Sequence, residues 1–396
     1  MKKYFTVFLV VFFIISSYSQ KREPLVMTFG TLTKSDSTYT VYEPNTEVSA
    51  VVLYESGENT FEVIKGYVRL IKTVHRKIKV LDASRFDGAS ISINYYTGGK
   101  FSEKVNNIEA ITHNGILKSK VDKNDIFDVD QTESYANKRF TFPDVKDGSI
   151  LEYRNRIETP YFFNFGDWEY QGDLPKLYSE FKADIPGNYI YKRALVGSQS
   201  LDVEISELKK NCFELPGLDT PAECDSFVYA MYDVPAYVEE PFMLSKTNYI
   251  SRLSFEFEES VNFNGERDRY SKSWKDVDRK FKYEKDIGRQ LKTTSFFEDK
   301  LPSEILNLAD SKIKAQRIFS FIRDHYNWNG EYRIFSEVRV KDAFKKKSGN
   351  IAEINLSLIN ALNAAGLNAK LALSATRNLG LVTKLYPILT DFNYVL

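Results

Sequence analysis

Few residues in this sequence are equipped for chemistry. There are two cysteines, Cys212 and Cys224, and three histidines, His75, His113 and His325. A thiolate is a nucleophile and a soft metal ligand. An imidazole moves protons near neutral pH and also binds metals. The three histidines lie far apart in sequence, and none falls in a metal-ligand spacing. No metal and no other cofactor is expected. The cysteines admit two readings. One is a bridge, and the entropy model gives roughly 3 kcal/mol for closing so short a loop. The other is a pair of free, buried thiols. Asp219, Glu223, Asp225, Glu239 and Glu240 fall in turn-like stretches. They read as solvated loop acids, with a weak cation site as the alternative. Tyr161, Phe162, Phe163, Phe165, Trp168 and Tyr170 crowd one stretch. They suit a strand edge or inter-domain contact, or else a stacking surface for sugar or peptide.

The elements that must position these groups change character along the chain. Val68, Leu70, Val74, Ile78 and Val80 share one parity. Ile91, Ile93 and Tyr95 alternate before the turn signal Gly98-Gly99, and Leu151, Tyr153 and Ile157 alternate after Asp147-Gly148. Leu253, Phe255 and Phe257 repeat the pattern. Period-two segments between Gly, Asp, Asn and Pro clusters predict an all-β sandwich over 20–265. From about residue 270 the period becomes helical. Trp274, Val277 and Phe281 fit one helix within a helical connector, 266–300. Pro302-Ser303 opens a short second one, and Asp310 or Ser311 caps a longer third with the stripe Ala315, Ile318, Phe319, Ile322. After Gly349, Ile351, Ile354, Leu358, Leu362 and Ala365 line one face of a further helix. Leu356 and Ile359 make it apolar on other faces too, and Gly366 suits its C′ position. Strands are expected at Ala369 to Ser374 and from Phe392 onward. An apolar strand at the end of a chain leaves an unpaired edge, so the sequence reads as a shortened form of something longer.

The first residues set the compartment. Lys2 and Lys3 precede an apolar run, Val7 to Ile15, and Ser17 and Ser19 sit before a cut ahead of Gln20. This is the pattern of a cleaved signal peptide. The run is too short for a spanning helix, which needs about twenty residues. No cysteine follows it to accept a lipid, and no later segment is apolar enough to span. The mature chain is expected to be periplasmic or secreted. In the full chain lysines and arginines balance the acids at 54 each, so losing residues 1–19, with Lys2 and Lys3, would leave a formal charge of −2. A near-neutral chain with interspersed charges lacks the electrostatic footprint of a nucleic-acid binder.

Several separated motifs carry a resemblance. They are Lys314-Ala315-Gln316-Arg317-Ile318-Phe319, Tyr326-Asn327-Trp328-Asn329-Gly330, Lys347-Ser348-Gly349-Asn350-Ile351-Ala352-Glu353-Ile354-Asn355 and Phe392-Asn393-Tyr394-Val395. Together they resemble the transglutaminase-like core, a fold related to papain-type cysteine proteases. Trp168 to Pro175, Val234 to Met243 and Asn248 to Arg252 resemble the β-domain of unknown function that precedes such cores in bacterial envelope proteins. The resemblance implies an α+β C-terminal domain, incomplete, over 301–396.

It also implies where chemistry should be. Active members place a cysteine at a helix N-terminus, where the helix dipole lowers the thiol pKa. A histidine takes its proton and an aspartate orients that histidine. Here Gly349, Asn350 and Ile351 occupy the Gly-Asp-Cys positions, and Tyr394 occupies that of the base. Isoleucine has no lone pair, and a phenol is a poor base at neutral pH. Ser348 reads as a loop or capping serine and His325 as a helix-terminal histidine. Glu353 and Asn355 flank the motif, and Asn355 is expected to satisfy a buried polar partner. The expected function is a non-catalytic binding or assembly protein of the bacterial envelope, its partner an envelope protein, peptide or cell-wall fragment. The alternative is a protease, amidase or acyl transferase of the same class.

Overall fold

The computed structural model describes residues 22–98, 101–132, 134–214, 220–261, 265–269, 273–332, 334–335, 337–382 and 391–396. The expected signal segment with its Ser19-Gln20 cut, Gly99 and Asp219 lie outside them. Strands β1 (Ala50–Ile64), β2 (Tyr67–Val80), β3 (Ser90–Tyr96), β4 (Lys104–Asn114), β5 (Leu117–Lys120), β6 (Phe127–Asp130), β7 (Tyr135–Thr141) and β8 (Ile150–Thr159) come first. After them come β9 (Trp168–Glu169), β10 (Lys176–Pro186), β11 (Tyr189–Val196), β12 (Val203–Phe213), β13 (Ala222–Val234), β14 (Arg252–Val261) and β15 (Arg267–Arg269). Eight of them form one sheet in the order β12-β13-β10-β1-β2-β8-β4-β5. Every pairing in it is antiparallel except β1 with β10. A second sheet has the order β11-β14-β15, with β9 on β14, and a third the order β3-β7-β6.

The period-two pattern explains the layering. Leu70, Val74, Ile78 and Val80 of β2 share a face of the large sheet. On β1, Val52 pairs with Ile78 and Phe61 with Leu70, although their parities differ. A register shift between Val52 and Tyr54 reconciles them, as a bulge must when one extra residue enters a strand. The two smaller sheets pack on this face side by side. Phe61, Phe181 and Phe227 meet Leu253 and Phe255 at one end. Val52, Ile78 and Leu151 meet Ile93 and Phe140 at the other. The aromatic stretch at 161–170 feeds mainly the first of these cores. Phe165 and Tyr170 are buried, and Phe163 is exposed. Trp168 lies flat over Gly57, where any Cβ would sit 2.4 Å from its ring.

The opposite face of the large sheet is crossed by the N-terminal segment. Lys77 Nζ donates to Thr31 O at 2.9 Å and to Asp36 at 3.1 Å. Asp36 belongs to α1 (Lys34–Thr38), which a Thr33–Asp36 capping box starts.

The C-terminal part contains α2 (Trp274–Tyr283), α3 (Thr294–Glu298), α4 (Ser303–Leu306), α5 (Ser311–His325), α6 (Val340–Lys346) and α7 (Ile351–Ala364). Two short ladders join them. β16 (Asn327–Trp328) runs parallel to β17 (Ser348–Gly349), and β18 (Leu373–Ser374) antiparallel to β19 (Tyr394–Val395). Helix α7 is the hub. Its Ala352, Leu356 and Ile359 share a core with Ile318 and Ile322 of α5, Phe297 of α3 and Val340 of α6. Two details differ from the sequence reading. Phe319 leaves the α5 stripe and is 51% exposed. On α7 the Ala352–Leu356–Ile359 side is deepest, while Ile351, Ile354, Leu358 and Leu362 are half-buried. The cause is shared: neighbours cover α5 narrowly and α7 nearly all round. Gly366 takes the expected left-handed conformation, φ 80°.

Candidate functional site

Helix α7 is positioned by its own first turn. Asn350 is the N-cap, and its side chain accepts from Glu353 N at 2.9 Å. Glu353 returns a bond from Asn350 N at 2.9 Å and takes a third from Arg339 N at 2.9 Å. This is a complete capping box. Gly349 is tight against it, since a Cβ there would meet Glu353 at 3.1 Å. Ile351 follows directly, its N–H bonded to Glu331 O at 3.1 Å. Glu353 therefore holds backbone N–H groups of 339 and 350, a structural role. Asn355 departs from expectation: its buried Nδ2 has no hydrogen-bond partner among the described residues.

The groups around this helix start are aromatic. Trp328 donates its indole N–H to Glu331 O at 3.1 Å and meets Tyr332 edge-on, ring centroids 5.2 Å apart. Tyr394 lies 6.3 Å from Tyr332. Tyr326 bonds Ser357 Oγ at 2.7 Å. Burial pushes its phenol up to about 12, against the pull of that bond. His325 stacks on Phe344 at 3.8 Å and uses Nε2 on Phe344 O at 2.7 Å. With its N–H given to a carbonyl, it is packed as a helix-terminal side chain. Ser348 lies in the β17 ladder, its backbone paired with Asn327.

The open question of the cysteines is resolved. Cys212 on β12 and Cys224 on β13 are bonded to each other, their Cα atoms 5.9 Å apart, within the usual disulfide range. The chain contains no other cysteine. The loop acids disperse: Asp225 pairs with Arg193 at 2.9 Å, and Glu239 lies 3.8 Å from Lys246.

Sequence spacing missed a second constellation. Strand order β2-β8-β4 brings His75, Glu152 and His113 together on the outer face of the large sheet. Each histidine Nε2 lies 2.8 Å from a different Glu152 oxygen. Gly30 N–H adds a third bond at 3.0 Å. An ionised carboxylate only accepts, so both rings present Nε2–H, the tautomer assigned by this network. Burial disfavours the charge on Glu152, but bonds from His113 and His75 and the charge of Lys77 hold its carboxyl down to about 2. His113 is fully buried, and its Nδ1 has no partner among the described residues. Only His75 borders open space, a cavity of about 450 Å³ with Phe29, Tyr54, Arg154 and Lys182 in its wall. No group of three or more His, Cys, Asp or Glu among the described residues is arranged to hold a metal ion. The arrangement can fasten the N-terminal segment to the sheet through Gly30. Alternating His75, Lys77 and Lys79 on β2 was the only signal for it in the sequence.

On the inner face Glu55 is buried between Arg76 and Lys176. Burial opposes its charge as well, and those two cations hold its carboxyl down to about 2.

The class these features define is a β-rich, multi-sheet chain with a small helical module. None of its described helices is long and apolar enough to cross a membrane. A particular solved structure is similar: a protein from Parabacteroides distasonis ATCC 8503, described as a "putative protease", with TM-score 0.60 and 13% identity. The match covers 88% of this chain and 64% of that one, so this chain spans just under two thirds of that protein's length. At this identity the likeness is one of fold alone. Native leukotriene A4 hydrolase from Saccharomyces cerevisiae matches with TM-score 0.25 and 11% identity, over 63% of this chain and 36% of that one. An M1 zinc metallopeptidase from Deinococcus radiodurans matches with TM-score 0.25 and 12% identity, over 63% and 54%. At those scores neither bears on function. No family model and no curated protein matches this chain at a significant level.

Proposed function

We propose that this chain is an exported, non-catalytic binding or assembly module of the bacterial envelope, built on a degenerate transglutaminase-like fold. One observation carries the reading. The only two thiols are bonded to each other on the β12–β13 hairpin, while the nucleophile position at the start of α7 holds Ile351. A cleft without chemistry can still bind. The disulfide and the apolar leader fit an oxidising compartment outside the cytoplasm.

A second reading is a protease, amidase or acyl transferase, favoured by the fold-level likeness to the Parabacteroides protein. It requires a nucleophile released by reduction. The test uses the full chain, oxidised and reduced, with dansylcadaverine and dimethylcasein as transfer substrates and a fluorogenic peptide amide for hydrolysis. No turnover is expected in either state. Turnover in the reduced protein that disappears in Cys212→Ala or Cys224→Ala would overturn the proposal. N-terminal sequencing of the exported protein is expected to begin at Gln20.

A further inference from the structure

The C-terminal module contains a concave apolar surface away from the start of α7. It encloses about 750 Å³, inside the roughly 300–1,000 Å³ range of small-molecule sites. Its floor is made by Trp274, Phe281, Leu291, Ile359, Leu371 and Phe392. Ile359 stands eight residues beyond Ile351, about 12 Å along the helix, so this groove is distinct from the family's catalytic position. Trp274 and Phe392 close one end edge-to-face at 5.9 Å. The wall is tightly packed at Gly288. A Cβ on Gly288 would sit 2.0 Å from Phe281 O, so the backbone after α2 is pressed onto the end of that helix.

The rim is charged, and mostly of one sign. Lys282, Lys292 and Lys370 line the groove against a single acid, Asp278. All three lysines are exposed. No described residue forms an ion pair with any of them within 4 Å. Apolar walls with free cations at the edge select a ligand that is apolar along its length and anionic at one end. The lining offers few hydrogen-bonding groups for the repeated polar backbone of a peptide. We propose that this groove binds a single-chain anionic amphiphile, a long-chain carboxylate, with its chain on the Trp274–Leu371 floor and its head among the three lysines. The site is independent of whether the module catalyses.

The test is titration of the full chain with decanoate and dodecanoate below their micelle concentrations, followed by Trp274 fluorescence and by calorimetry. Two added methylenes should tighten binding roughly tenfold. Dodecyltrimethylammonium should bind more weakly than dodecanoate. Reversing the rim in Lys282→Glu/Lys292→Glu/Lys370→Glu should weaken dodecanoate by roughly tenfold. These lysines are exposed, so the variant should retain the parent circular dichroism. A milder Lys370→Gln should weaken it less. The fluorescence change should vanish in Trp274→Phe while the calorimetric signal persists. Equal affinity for the cationic and anionic chains, indifference to the rim reversal, or an unchanged fluorescence response in Trp274→Phe would overturn the proposal. So would concentration-dependent dimerisation abolished by the same reversal, which would make a second copy the occupant.

Discussion

At the scale of single residues, the chain is defined by what stands at two positions. Ile351 opens α7, where the helix dipole would favour a thiolate, and Tyr394 stands at the position that the proposed resemblance gives to the base. Installing the nucleophile alone should not create an enzyme. Ile351→Cys is expected to react with iodoacetamide yet leave amide hydrolysis and transfer at background, because no described imidazole faces that position: His325 is stacked on Phe344 and bonded to its carbonyl. Clear turnover by Ile351→Cys would sink the non-catalytic reading. The start of α7 just after Gly349 was legible in the sequence. The His75–Glu152–His113 cluster was not, because its members come from three strands whose adjacency is a property of the sheet. Its consequence is acid sensitivity. Glu152 has its carboxyl held at about 2, below the ordinary 4.5. A depressed carboxylate contributes stability that is present above its unfolded pKa and lost as pH falls through the folded one. Stability should therefore drop between about pH 4.5 and pH 2. In Glu152→Gln that acid limb should be shallower, as urea midpoints across the range would report; an unchanged limb would count against the cluster.

At the scale of elements, caps and staples are worth more than propensity. The Asn350–Glu353 box supplies the first-turn N–H groups of α7 with acceptors. Asn350→Ala should cost about 1 kcal/mol, read as a lowered midpoint in thermal unfolding, whereas Asn350→Asp should be close to neutral. A larger loss from Asp than from Ala would refute the capping account. The Cys212–Cys224 bridge closes a loop of sequence separation 12 across β12 and β13. Its removal in Cys212→Ser/Cys224→Ser should cost roughly 3 kcal/mol. Strand-forming stretches and the helices α2, α4, α5 and α7 could be read from period and capping residues. The expected strand Ala369 to Ser374 shrank to Leu373–Ser374, since pairing depends on what β19 offers opposite it. The exposure of Phe319 and the depth of Leu356 depended on how many neighbours each helix acquires, which periodicity alone does not contain.

At the scale of the whole molecule, the question is what joins the β part to the helical module. Arg377 donates to Met243 O at 2.9 Å, and Leu381 N–H to Asn248 Oδ1 at 2.7 Å. Gly380 lets the chain pass there with φ 83°, where a Cβ would meet Asn248 at 2.4 Å. A second link between the two parts is Glu256 of β14, which interacts with Asp391. Its Oε2 is buried and has no hydrogen-bond partner among the described residues. Burial raises its carboxyl from 4.5 to about 7, against the attraction of Lys192 on β11, and Asp391 from the helical module and Glu258 on its own strand raise it further. A carboxyl raised on folding contributes stability that is full below its unfolded pKa and lost as pH climbs through the folded one. Between about pH 4.5 and 7 that contribution declines, and as pH passes about 7 Glu256 ionises beside Asp391, so the two parts repel at this contact. Hydrogen exchange at the amides of 377–381 should accelerate over that window beyond the intrinsic pH effect. Glu256→Gln, which keeps the shape and removes the charge, should abolish the excess. If the excess survives in Glu256→Gln, the seam is not gated by this carboxyl; if it disappears, a single glutamate sets how firmly the module is held at neutral pH.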